Sequence, residues 1–221
     1  MTDAVGAVLF DLDGTLADTA LDLGFALNQQ RQRHGMAALP HELIRPQASH
    51  GARGLLKLGF HVTSESPNFD VLRDEFLELY MQHICDLTVL FPGMEDLLHT
   101  LESRAIRWGV VTNKPARFTL PLLQALQLER RAACIISGDT TANPKPHPEP
   151  LLTAAALVRV APAACLYVGD AERDVESAIA AGMRALIANY GYLDETDRPE
   201  TWGAHGRINT PQEILSYLSE T

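Results

Sequence analysis

Cysteine is scarce, with three residues in a chain of 221. Cys85, Cys134 and Cys165 are far apart and odd in number. There is no Cys-x-x-Cys and no Cys/His group at zinc spacing, so neither a disulfide framework nor a structural zinc site is indicated. This suits a reducing compartment, and a cytoplasmic location is expected. Cys134 and Cys165 each open an apolar run and read as core fillers rather than catalytic thiols. Positive charge is also short: 18 Lys+Arg stand against 28 Asp+Glu, a formal net charge of −10. Nucleic acid and anionic membranes are gripped by basic faces, so neither is an expected partner. A small anionic substrate remains open, because local charge can oppose the global sign. Long apolar runs are missing. Nothing approaches the ~20 residues of a membrane span. The first run, Ala4–Phe10, is short and follows the acidic Asp3, so no secretory signal is expected. Repeats and low-complexity tracts are absent too.

What is present is 46% hydrophobic and 21% charged residues, enough to bury a core and exclude wholesale disorder. The length suits one domain, or a core domain with an insertion. Short runs, apolar nearly throughout, end abruptly at polar residues or Gly: Val5–Phe10, Trp108–Val111, Cys134–Ile136, Leu166–Val168 and Ala185–Ala188. Strands covered on both faces of a parallel sheet read this way. Helical stretches lie between them, at Met94–Ser103, Phe118–Leu126, Pro148–Leu157 and Asp174–Ala181, with Gly182 as a helix stop. Strand and helix in alternation predict a doubly wound, Rossmann-like α/β sheet with right-handed crossovers. From about Thr19 to about Leu87 the rhythm breaks. Only helical periodicity remains there, with Leu23, Leu27 and Gln30 on one face and Phe76, Leu79, Tyr80 and His83 on another. The expected organisation is a core of residues 1–18 and 88–221, with a small helical module, 19–87, inserted after the first strand. A short run, Arg207–Asn209, and a helix capped at Thr210 close the chain.

In open α/β sheets, ligands bind beyond the carboxyl ends of the strands. Asp11, Asp13 and Gly14, Thr112 and Asn113, and Asp170 and Asp174 all stand there, and Lys145 sits in a proline-rich loop leading into a helix. An Asp at one strand end is ordinary turn chemistry. Four converging acids are not, since two carboxylates ~4 Å apart repel by ~4 kcal/mol at an effective dielectric of 20. A hard divalent ion relieves this, and Mg²⁺ suits a few carboxylates, waters and a substrate phosphate. Lys145 adds positive charge. The Thr112 hydroxyl, the Asn113 amide and the N–H groups around Gly14 can hold an anion. A carboxylate beside a phosphoryl group so held is a nucleophile in position. Asp13 can protonate the leaving oxygen and later deprotonate water.

The segment Phe10-Asp11-Leu12-Asp13-Gly14-Thr15-Leu16 resembles the first motif of the haloacid dehalogenase-like hydrolases. Val110–Lys114 resembles their second motif, Lys145-Pro146 the third, and Gly169-Asp170 with Asp174 the fourth. The motifs fall in order and span essentially the whole chain. The resemblance implies a Mg²⁺-dependent phosphatase. Asp11 would become an aspartyl phosphate and Asp13 would act as general acid and base. The metal would be held by the Asp11 carboxylate, the Asp13 main-chain carbonyl and Asp170, with Asp174 beside its waters. Thr112, Asn113 and Lys145 would bind the phosphoryl group. The 19–87 module matches the family's helical cap. An Asp at position 13 favours phosphate-ester chemistry over dehalogenation.

Lys145-Pro146-His147-Pro148-Glu149-Pro150 is similar to the phosphoglycolate phosphatase-like subgroup. Ser49–Arg53, Trp108–Pro115, Tyr190-Gly191-Tyr192 and Trp202-Gly203 resemble N-acetylmuramic acid 6-phosphate phosphatases. Both substrates are small phosphomonoesters bearing a carboxylate, which asks for a cation in the cap. Arg53 is the first candidate, because guanidinium pairs bidentately with carboxylate; Arg45 is second, and His50 is a possible hydrogen-bond donor. Lys57 reads as a solvated edge residue. A sugar phosphomutase of the same fold and a catalytically silent binding or regulatory protein are the alternatives. A monomer or homodimer is expected.

Overall fold

The structure is a computed structural model that describes residues 4–218. Two strand-rich units are present. The first is a six-stranded, wholly parallel sheet. It contains β1 (Ala7–Phe10), β4 (Arg107–Val111), β5 (Ile135–Ile136), β6 (Cys165–Gly169), β7 (Arg184–Ala188) and β8 (Gly206–Ile208). The second is a two-stranded antiparallel ribbon of β2 (Ala17–Asp18) and β3 (Val89–Leu90).

The sheet order is β5-β4-β1-β6-β7-β8. From β1 the chain therefore builds outward on one side, then returns to build on the other. The reversal lies at β1, where an open sheet leaves a crevice at the strands' carboxyl ends.

Burial explains why the strand sequences are apolar throughout. Val8 and Phe10 face one layer, with α5 (Met94–Ser103), α6 (Ala116–Ala125) and the terminal α9 (Ile214–Tyr217). Ala7 and Leu9 face the other, with α7 (Glu149–Val158) and α8 (Glu172–Ala180). Trp108 is buried and donates its indole N–H to Glu102 Oε1 at 3.0 Å. Trp202 packs with the α7–α8 layer, as core rather than site rim. Cys134 and Cys165 are buried free thiols, and burial pushes them up to about 12 and about 11. Helix and strand ends depart from the sequence reading by one to two residues, as frayed ends do. At the last helix, the expected Thr210 side-chain cap is not made. Glu213 instead accepts the Asn209 N–H and the Thr210 hydroxyl.

The inserted segment forms α1 (Ala20–Arg33), α2 (His41–Ile44), a 3₁₀ turn (Arg45–His50), α3 (Gly51–Phe60) and α4 (Phe69–Gln82). These have their own apolar cluster, centred on Leu27, Leu55, Leu56, Phe76 and Leu79. The ribbon of β2 and β3 joins this unit to the sheet. The ribbon was not expected from the sequence; two residues per strand show no periodicity. Asp22, fully buried, accepts the Leu87 N–H, the Thr88 N–H and the Thr88 hydroxyl at 2.7–3.1 Å. It thereby ties the outgoing linker to the returning one. Among the described residues, no helix is long and apolar enough to cross a membrane.

Candidate active site

Parallel register sets the site. Phe10 lies level with Val110 and Val168, so the residues just beyond all three emerge side by side. Asp11, Asp170 and Asp174 meet there, buried, with carboxylate oxygens within 4.8 Å of one another. Lys145, 3% exposed, reaches in from the loop before α7. Its ammonium donates to Asp174 Oδ1 at 2.6 Å, to the Tyr167 hydroxyl at 2.7 Å and to the Val111 carbonyl at 3.0 Å. Those three bonds use all its protons. Asp11 Oδ1, 3.0 Å from the same nitrogen, therefore feels its charge but makes no hydrogen bond.

The electrostatics follow from this crowding. Burial pushes the Asp11 carboxyl up, against the pull of Lys145. Burial, then the charges of Asp11 and Asp174, push Asp170 up to about 7. Burial also works against Asp174, but Lys145 and Arg173 outweigh it and hold Asp174 below the usual carboxylate range. Three oxygen ligands, an orphaned Asp11 oxygen and an acid that resists ionisation fit a hard divalent cation. The backbone leaves room for them: Gly14 (φ +83) and Gly191 lie so close to Asp170 that a Cβ at either would collide with its side chain.

Asp13 departs from the expected cluster of four. Its carboxylate stands apart from the three acids, drawn to Lys114 Nζ at 2.9 and 3.2 Å and to the Thr19 hydroxyl at 2.6 Å. Lys114 is the cause, and residue spacing alone carries no sign of that pairing. Burial opposes the Lys114 charge, but Asp13 holds the ammonium above the ordinary lysine range. The Tyr80 ring of α4 lies over it, with its centroid 4.6 Å from the nitrogen.

Other expected residues have more specific settings. Thr112 is buried, and its hydroxyl oxygen accepts the Lys114 N–H at 3.2 Å, leaving its proton to donate. The Asn113 amide binds the Lys145 backbone, donating to its carbonyl at 2.8 Å and accepting its N–H at 2.9 Å. Asn113 thus locks the Lys145 loop with one amide proton, keeps the second for another acceptor, and lines the cavity over the site. The Gly14 N–H is taken by the Ala17 carbonyl at 3.1 Å.

A cavity of about 670 Å³ opens over these groups. Asp11, Asp13, Thr112, Lys114 and Lys145 form its floor, with Leu23, Phe76, Leu77, Tyr80 and Phe118 along the side. The inserted unit supplies a polar roof of Ser49, His50 and Arg53. Arg53 and Lys57 have no ion-pair partner among the described residues, and both line an adjoining cavity of about 550 Å³. Arg45 stands outside the main cavity. It donates to the Gly191 and Tyr190 carbonyls at 2.8 and 3.3 Å and covers the Tyr192 ring, so it is a strut between insertion and sheet rather than a substrate cation.

Two contacts were missed in the sequence. Arg173 donates to the Ser49 carbonyl, and the Ser49 hydroxyl donates to Asp170, each at 2.7 Å. Neither has a local sequence signal.

A family model described as haloacid dehalogenase-like hydrolase matches residues 8–188. An N-acetylmuramic acid 6-phosphate phosphatase of Pseudomonas putida is 42% identical over 212 residues, covering 96% of this chain and 95% of that protein. A phosphoglycolate phosphatase of Xanthomonas campestris pv. campestris is 40% identical over 209 residues, covering 94% of each. The crystal structure of a predicted phosphoglycolate phosphatase from Haemophilus somnus superposes with a TM-score of 0.84 at 23% identity, covering 96% of this chain and 97% of that one. At that identity the superposition speaks to fold.

Proposed function

The chain belongs to the haloacid dehalogenase-like hydrolases, and from that membership we propose that it is a Mg²⁺-dependent phosphatase working through an aspartyl phosphate. The observation that carries this reading is Asp11. It is a buried carboxylate with one unbonded oxygen, facing a cavity and flanked by Lys145, Asp170 and Asp174.

Asp11, Asp170 and the Asp13 main-chain carbonyl would hold the Mg²⁺, with Asp174 beside them. The ion, when bound, supplies positive charge that lets the acids and the substrate phosphate share one site. The chain's own residues do the rest. Lys145 and the Thr112 hydroxyl hold the phosphoryl oxygens. Asp11 attacks phosphorus, and the bond to the leaving oxygen breaks while Asp13 gives that oxygen a proton. Asp13 then takes a proton from a water, which attacks the aspartyl phosphate, releasing phosphate and restoring Asp11. Lys114 and Thr19 keep Asp13 on the cavity side. Residues 19–87 act as a cap that excludes bulk water and selects the leaving group.

For the substrate we propose a phosphomonoester with a carboxylate in its leaving group, read by Arg53 with help from His50. Between the two compounds in the relatives' names, the cavity favours N-acetylmuramic acid 6-phosphate over phosphoglycolate. A volume of about 670 Å³ suits a ligand of sugar size. A two-carbon leaving group would leave Leu23, Phe76, Leu77 and Phe118 uncovered. Phosphate release from both compounds and from common sugar phosphates, at equal Mg²⁺, tests this. The amino sugar should give the highest kcat/KM; a preference for a substrate without a carboxylate would defeat the role given to Arg53.

A further inference from the structure

Ser49 lies in the 3₁₀ turn between α2 and α3 and touches both the loop after β6 and the start of α8. Its hydroxyl donates to Asp170 Oδ2 at 2.7 Å, and its carbonyl accepts from Arg173 Nη2 at 2.7 Å. The same Asp170 oxygen accepts the Tyr192 N–H at 2.9 Å and is walled in by Gly14 and Gly191. The other oxygen, Oδ1, has only a long 3.5 Å contact from the Thr15 hydroxyl among the described residues. Thr15 and the Tyr192 backbone belong to the loops that follow β1 and β7 of the sheet. Ser49 is the donor to Asp170 that the inserted helices carry, so its bond exists only while the insertion sits over the site.

We infer that Ser49 is a positioning residue that couples closure of the helical insertion to cation binding at Asp170. The inference rests on the reading of Asp170 as a metal ligand. A donor on one carboxylate oxygen fixes the side chain's rotation and leaves the other oxygen to the ion, as supporting hydrogen bonds do for metal ligands generally. Arg173 is the second arm, holding the Ser49 carbonyl so that the hydroxyl faces Asp170. Linkage makes the effect reciprocal: if closure tightens the ion, the ion favours closure by the same factor. The cation is then held firmly during the reaction and loosely when the cap opens for product.

The test is calorimetric titration of Mg²⁺ into the metal-stripped protein, wild type against Ser49→Ala and Ser49→Thr. It is paired with hydrogen–deuterium exchange of residues 45–53 with and without Mg²⁺. Ser49→Ala should bind Mg²⁺ about tenfold more weakly, the scale of one hydrogen bond to a charged group, and residues 45–53 should lose their Mg²⁺-dependent protection. Ser49→Thr, which keeps the hydroxyl, should retain both. Wild-type affinity in Ser49→Ala overturns the inference. So does an equal loss in both variants, which would trace the effect to loop shape. Wild-type protein whose residues 45–53 ignore Mg²⁺ overturns it without any variant. Asp170→Asn separates the levels: if that variant still binds Mg²⁺ normally, the metal-site reading fails as well. If it loses Mg²⁺ while Ser49→Ala does not, only the coupling fails.

Discussion

Asp170 concentrates the cost of this site in one side chain. Burial and the charges of Asp11 and Asp174 push its carboxyl from an ordinary 3.8 up to about 7. The folded, metal-free protein therefore binds more protons than the unfolded chain between those two values. Stability must fall as pH rises across that interval and stay low above it. Asp170→Asn removes the titration yet keeps an oxygen for Ser49 and Tyr192. With metal stripped, the variant should melt higher than wild type at pH 8, with the gap shrinking as pH falls below about 7 and closing only below 3.8. Added Mg²⁺ should raise the wild-type melting temperature and leave the variant unmoved. Melting curves with wild type the more stable at pH 8 would contradict this electrostatic account. Lys145 and Lys114 show the same economy at the residue scale. One spends its three protons fixing Asp174, Tyr167 and the end of β4; the other turns Asp13 away from the acids.

Among the elements, the short linkers between sheet and insertion bear the most on function. Asp22 of α1 gathers three donors from Leu87 and Thr88, and β2 pairs with β3 just outside them. Truncation by Asp22→Ala strands the buried N–H and hydroxyl of Thr88 and frees the half-buried Leu87 N–H, which should cost roughly 3 kcal/mol in chemical denaturation. A loss below about 0.5 kcal/mol, the level of a neutral surface change, would mean that the linkers are held by something else. Legibility divides along the same line. The sheet strands could be read because both their faces are buried, which leaves an apolar run bounded by polar residues. The helices of the insertion could be read from Leu23, Leu27, Phe76 and Leu79, which keep helical spacing. The ribbon could not, since Ala17–Asp18 and Val89–Leu90 gain their meaning only from each other. The same holds at the site. Asp11, Asp170, Asp174 and Lys145 were legible because strand ends converge in any such sheet. Partners chosen across the fold, such as Lys114 for Asp13, Arg45 for the Tyr190–Gly191 backbone and Ser49 for Asp170, leave no trace in local sequence.

For the whole molecule, the net charge of −10 resolves into two populations. Three acids are buried with Lys145 and Arg173 close by, an arrangement that fits a divalent cation. Asp22 is buried beside the linker, and most of the other acids among the described residues lie at the surface, where they favour solubility. On the proposed function the sheet would supply nucleophile, phosphate donors and metal ligands from adjacent strand ends, and the inserted helices a roof with Arg53, which has no ion-pair partner among the described residues. The proposed function joins these parts by having Asp11 carry the phosphoryl group. Acid-quenched single turnover, followed by phosphopeptide mapping, tests this most directly. A phosphoryl group on Asp11, absent along with turnover in a folded Asp11→Asn variant, is the predicted result. Turnover retained by Asp11→Asn, or a phosphoryl group on another residue, would contradict it.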